Sequence, residues 1–210
     1  MATKIKPKWK LNISSLSCIP EQFRPPENAD DRSEWWDGLS KKEKRVAVAY
    51  DVLYQLGAKQ YKAERGTYLA YKKGPALIYY FSNIVERMLD KEVAKAPKCR
   101  VCAIGSGVLS SLTLSNNRGF STLDPDSLIE DCDFDTGNPA SEVFSYGEWR
   151  QLEEFFERKS KFFSGRDQAI EMACSNDPKQ HDRISSNSEL ALRAIFTSVI
   201  EHGGEIDQIH

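Results

Sequence analysis

With 210 residues, 40% hydrophobic and 29% charged, the chain is long enough to bury a core of its own without disulfides or a metal. Its net charge of −2 leaves no basic excess for wholesale binding of nucleic acid, no apolar run reaches the ~18 residues that span a bilayer, and Met1–Lys8 lacks the apolar stretch of a signal peptide. The five cysteines, an odd number in a chain of this size, read as reduced thiols, which implies a cytoplasmic protein.

The predicted architecture is mainly α: a single helical domain over residues 38–210, a short β element, and an extended N-terminal arm over residues 1–37. In the arm, Lys4, Lys6, Lys8 and Lys10 alternate with Ile5, Trp9 and Leu11, the period of an extended segment. Pro20, Pro25 and Pro26 then forbid regular helix. Trp35 and Trp36 sit before the first clear helix, either as a lid on it or as an exposed aromatic anchor for a partner.

That helix opens at Ser40 with Glu43 three residues on, the pattern of a capping box. Val46, Ala49, Tyr50, Leu53 and Leu56 form its apolar stripe, and Gly57 is a stop. A short strand is expected near Tyr68–Tyr71. Pro75 suits the first turn of a helix carrying Leu77, Phe81, Val85 and Leu89. Val101–Leu114 reads as a tightly packed central helix interrupted by serines and glycines. A polar, acidic region covers 116–141. Trp149, Leu152, Phe155, Phe156, Phe162 and Phe163 form another helical face, and a short helix follows at Ala169–Ala173. Ser188 and Glu189 open the last helix, with Leu192, Ile195, Phe196 and Val199 inward and Gly203–Gly204 as its stop. The expected core contains Val46, Leu53, Phe81, Val85, Cys102, Leu109, Leu152, Phe156, Ile195 and Val199.

The block Cys99-Arg100-Val101-Cys102-Ala103-Ile104-Gly105-Ser106-Gly107 carries the most chemistry. Cys99 and Cys102 have the spacing of half a zinc site, but no second paired knuckle exists among Cys18, Cys132, Cys174, His181, His202 and His210, so no metal or other cofactor is expected. A thiol at a helix N-terminus can act as a nucleophile, because the helix dipole favours the thiolate. Cys102 would then need a base. His202 falls at a helix end and His210 at the chain end, which leaves His181. Alternatively, the backbone N–H groups of Gly105, Ser106 and Gly107 could cradle a phosphate, with Arg65 or Lys72 as counter-charge, although the lysine of a P-loop is missing.

The run Asp131, Asp133, Asp135 and Glu142 matches the acidic positions of a calcium loop, but Gly137 stands one place late for its sharp turn. With Asp124 and Asp126 it reads as a solvated acidic loop.

Three pieces together resemble a family of small uncharacterised proteins of phages and bacterial mobile elements: Gln60–Leu69 with its Ala63-Glu64-Arg65-Gly66-Thr67-Tyr68-Leu69 run, Cys99–Ser106, and Ala169–Ala173 with Ile195–Gly204. No activity comes with the resemblance. It implies a phage-like, intracellular setting, where small proteins often bind and disable host machinery or its signalling molecules. The leading expectation is therefore a non-enzymatic binding protein, a phage-type inhibitor of a host defence protein, using Trp9, Trp35 and Trp36 or the acidic residues Asp124, Asp126, Asp131, Asp133 and Asp135. A nucleotide-binding protein built on Gly105–Gly107 and a cysteine enzyme built on Cys102 and His181 are the alternatives.

Overall fold

The computed structural model describes residues 13, 15–66, 69–70, 99–116, 139–157 and 187–206. Within these the chain is mainly α. The helices are α1 (Ala29–Gly38), α2 (Lys41–Gly57), α3 (Ala103–Leu114), α4 (Pro139–Val143), α5 (Tyr146–Glu157) and α6 (Ser188–Glu201), and the strands are β1 (Tyr61–Ala63), β2 (Leu69–Ala70) and β3 (Cys99–Val101).

The N-terminal segment corrects one expectation. Ending an extended arm at residue 37 cuts through α1. Before α1 the chain makes two 3-10 turns, Leu16–Cys18 and Glu21–Phe23, on either side of Pro20. Ile13, Ile19 and Trp36 are fully buried, and Phe23 and Trp35 pack against the same core. The segment's polar side chains hold the segment itself together: Arg24 donates to the carbonyls of Leu16 and Ile19, Arg32 to that of Pro26, and Trp35 to that of Gln22. The lysine-rich stretch and Trp9 lie outside the described residues.

α2 begins where the capping box places it. Glu43 Oε2 accepts from Ser40 N at 2.9 Å, and Ser40 Oγ accepts from Glu43 N at 3.4 Å. A single stripe would bury one face, yet Ala47, Val48 and Val52 are buried along with Val46, Ala49, Leu53 and Leu56. α6 runs against one side of α2, while α3 and α4 cover another. A helix enclosed this way must also take its polar residues inside, and Lys44, Arg45 and Asp51 are buried.

The β element is larger than expected. β3 is central in a three-stranded sheet of order β1-β3-β2. β1 pairs with it in parallel, with Tyr61 opposite Cys99 and Ala63 opposite Val101; β2 pairs antiparallel, with Leu69 opposite Val101. Strands of two or three residues are too short to show alternation, so only their partners define them. A parallel pair needs a long crossover, which runs through the segment where the helix at Leu77–Leu89 was expected; that segment lies outside the described residues.

α3 is buried along its whole length, as its apolar composition requires. Three of its hydroxyls are satisfied by the helix's own carbonyls: Ser106 bonds Ala103 O, Ser111 bonds Gly107 O and Thr113 bonds Leu109 O, all within 2.9 Å. A Cβ on Gly107 would lie 2.7 Å from the Trp149 ring, so this glycine is the seat of that indole. Trp149 in turn donates to Ala140 O and stacks edge-on with Phe144 at 4.6 Å.

α5 opens with a second capping box, Ser145 with Glu148, that the sequence reading passed over. The N-cap of α6 is Asn187, one residue before the expected start; its side chain accepts from Glu189 N and Leu190 N. Gly203 and Gly204 end α6 as expected, both at positive φ. Gly203 N bonds Ile200 O and Gly204 N bonds Val199 O, the pair of bonds that satisfies the last carbonyls of a helix. Of the predicted core, Val46, Leu53, Cys102, Leu109, Leu152, Phe156, Ile195 and Val199 are buried; Phe81 and Val85 lie outside the described residues.

Candidate functional site

The cysteine block spans the end of β3 and the start of α3. Cys102 is the N-cap residue: its backbone is extended, its carbonyl accepts from Ser106 N at 3.0 Å, and its Sγ accepts from Gly105 N at 3.4 Å. One N–H that a phosphate would need is thus engaged inside the protein. Gly105, Ser106 and Gly107 are all buried, and Trp149 lies on Gly107. Arg65 does not face them. Its Nε donates to Phe156 O at 2.6 Å and its guanidinium lies 5.5 Å from the Phe156 ring. Lys72 is outside the described residues. The start of α3 is thus closed by packing, and Arg65 is engaged with Phe156.

The thiol readings meet the same closure. Cys102 is only 2% exposed, so an attacking substrate has no described approach to it, and His181 lies outside the described residues. Burial pushes the Cys99 thiol up to about 12, far from a thiolate at neutral pH. Among the described residues, no group of three or more His, Cys, Asp or Glu side chains is placed to hold a metal ion.

The aromatic pair divides. Trp36 is buried, and its indole N–H donates to Glu142 Oε2 at 3.1 Å. It serves as the lid, which corrects its expected part in a partner surface. Trp35 is half-buried over the N-terminal segment. Glu142, the last acidic position of the calcium-loop pattern, is likewise committed, since Lys44 Nζ and Trp36 both bond it. Asp124, Asp126, Asp131, Asp133 and Asp135 lie outside the described residues. Both ends of the segment that carries them are described. One is Asn116, at φ 53°, beside Ser115, whose carbonyl accepts from Ser33 Oγ; the other is α4, whose Glu142 joins Trp36 and Lys44. Ser115 and Glu142, the described residues on either side, are each bonded to the body.

One constellation was not read from the sequence. Asp51 of α2 is buried between α2, β1 and α3. Its Oδ1 accepts from Gln55 Nε2 at 3.1 Å, while its Oδ2, also buried, has no hydrogen-bond partner. Tyr61 Oη lies 3.4 Å from Ser110 Oγ, and the Ser110 hydroxyl also faces Asp51. Burial raises the Asp51 carboxyl above its usual range; Ser110, Gln55 and the charge of Arg32 oppose this. Burial also raises Tyr61, with the Asp51 charge adding to it. The available signal was a lone acid among buried apolar neighbours, Val48 one turn before it and Val52 beside it.

No family model, no curated protein and no solved structure matches the chain. Among the described residues no helix is long and apolar enough to cross a membrane.

Proposed function

We propose that this is a non-enzymatic binding protein whose acidic segment, residues 117–138, recognises a basic surface on a host protein inside the cell. The observation that carries it is that the described residues on either side are bonded to the body: Ser115, at the end of α3, to Ser33 of α1, and Glu142 of α4 to Trp36 and Lys44. Asp124, Asp126, Glu130, Asp131, Asp133 and Asp135 stand there against the lone Arg118. Charge of one sign on a fixed base steers an oppositely charged partner and gives salt-sensitive association. The closed start of α3 supports the same reading, because the motif with the most chemistry is consumed by packing. The choice of a host protein as partner class rests on the resemblance of the sequence motifs to phage and mobile-element proteins.

Changing Asp124, Asp126, Asp131, Asp133 and Asp135 together to Asn tests this. In a pull-down from host lysate at low and high salt, the unmodified chain should retain a basic protein that the variant loses, with the melting temperature unchanged. Equal capture by both chains would refute the assignment of the segment.

A further inference from the structure

The N-terminal segment folds on itself before it meets the body. Arg24, Arg32 and Trp35 donate to the carbonyls of Leu16, Ile19, Pro26 and Gln22, all within the segment. The described side chains that attach it to the body are few. Ile13, Ile19 and Trp36 are buried, Phe23 stacks on Tyr50 of α2 at 5.7 Å, Ser33 bonds Ser115 O, and Trp36 bonds Glu142. A unit held together by its own bonds keeps its shape wherever it docks, and a second copy of the chain presents an identical seat.

The link to the body is Leu39 and Ser40, between α1 and α2. Both are close to helical. Leu39 N bonds Trp36 O at 3.1 Å, a tightened last turn of α1, and Ser40 O accepts the first bond of α2 from Lys44 N at 2.9 Å. Ser40 has a φ of −64°, already a helical value, and its ψ of 160° turns the chain away. Glu43 holds Ser40 in that conformation by accepting from both its N and its Oγ. Were Leu39 and Ser40 to turn helical, α1 and α2 would join into one helix and lift the segment off its own body. The Trp36–Lys44 contact has the symmetry this exchange needs. Lys44 Nζ lies 5.2 Å from the Trp36 ring, and the two residues stand at equal distances in sequence on either side of Ser40. Two such helices crossing antiparallel at Ser40 would bring Trp36 of one copy against Lys44 of the other.

We propose that the N-terminal segment is an exchangeable arm: it docks on its own body in the monomer and on a second copy of the same chain in a two-fold dimer, with Leu39 and Ser40 as the hinge. The exchange remakes the segment's contacts on the other body and gives up the cap at Ser40 in each chain, so the capping box is what holds the arm on its own body. Dimer formation therefore rises with concentration and with any change that weakens the cap. This inference does not depend on the partner proposed above.

The full chain is refolded at micromolar and at millimolar concentration, and its mass is read by light scattering after gel filtration. Refolding at millimolar concentration should yield a dimer. Ser40→Ala takes a cap from each monomer and none from the dimer, and should tighten the dimer on the order of fivefold. Lys41→Pro should abolish it. Residue 41 is exposed at the first position of α2, where proline suits the monomer and favours the extended ψ of Ser40, whereas in a continuous helix its ring would clash with the Asp37 carbonyl. Dimers made from a mixture of isotope-labelled and unlabelled chains should show filtered nuclear Overhauser contacts between Phe23 of one chain and Tyr50 of the other. A chain that stays monomeric at millimolar concentration even as the Ser40→Ala variant, a dimer that persists in Lys41→Pro, or a dimer without contacts between Phe23 and Tyr50 across chains would overturn the exchange.

Discussion

Of the three charged side chains that α2 buries, Arg45 and Asp51 lie less than two turns apart and are treated in opposite ways. Arg45 is closed: its Nε donates to Val143 O at 2.8 Å, its Nη1 to Gly204 O at 3.0 Å, and its Nη2 to both oxygens of Glu148. Glu148 also accepts from Ser145 N as half of a capping box, so one carboxylate both starts α5 and neutralises the arginine. Asp51 is open, with one oxygen bonded and the other not. A buried charge with every donor satisfied locks the elements that supply its partners, here α2, α4, α5 and the end of α6. A buried acid with a spare oxygen costs the fold and is left sensitive to pH.

Removing the closed site should have the largest effect. Arg45→Ala leaves the buried carbonyls of Val143 and Gly204 without their donor and the half-buried Glu148 held by Ser145 alone, and should lower stability by about 3–5 kcal/mol, read as a fall in the urea midpoint. The same site can be broken from its other end. Gly204 sits at φ 84°, and a Cβ there would run into the Lys42 backbone. Gly204→Ala should therefore cost about 2 kcal/mol by thermal melting, by pushing its carbonyl off Arg45.

The open site should respond with the opposite sign. The folded pKa of Asp51 is raised, so the native state holds its proton more tightly than the unfolded chain. Stability contributed by this group is present below the unfolded carboxylate value and is lost as pH rises through the folded one. Asp51→Asn should thus stabilise the fold by about 1 kcal/mol at neutral pH, with the gain shrinking to nothing in acid. A loss of stability at neutral pH would show that the carboxylate is well satisfied and the contrast wrong. The smallest effect belongs to a terminus that touches neither site. Ser40→Ala should cost about 0.5 kcal/mol, the low end for a helix cap, because Ser40 Oγ lies a long 3.4 Å from Glu43 N.

The features legible in the chain were those whose partners are close in sequence. Ser40 with Glu43 and Gly203 with Gly204 each satisfy helix ends through bonds spanning three to five residues. The apolar stripes of α2, α5 and α6 follow from helical spacing alone. Cys99–Val101 is different: its local sequence suits the entry to a helix, and it is a strand because Tyr61 and Leu69 bring it partners from far along the chain. Gly107 looked like a phosphate cradle until Trp149 occupied the space above it. Trp36 looked available until Glu142 and the core enclosed it.

The sequence by itself determined that the protein is helical, where α2 and α6 begin and end, and which of their apolar residues would be inside. The tertiary structure alone decided the fate of the polar residues those helices carry. Helix ends and apolar stripes are settled by bonds and spacing within a few residues. A buried charge is settled by groups that only folding brings near, as when Arg45 finds its carbonyl partners 98 and 159 residues away and Asp51 is left with one oxygen unmet.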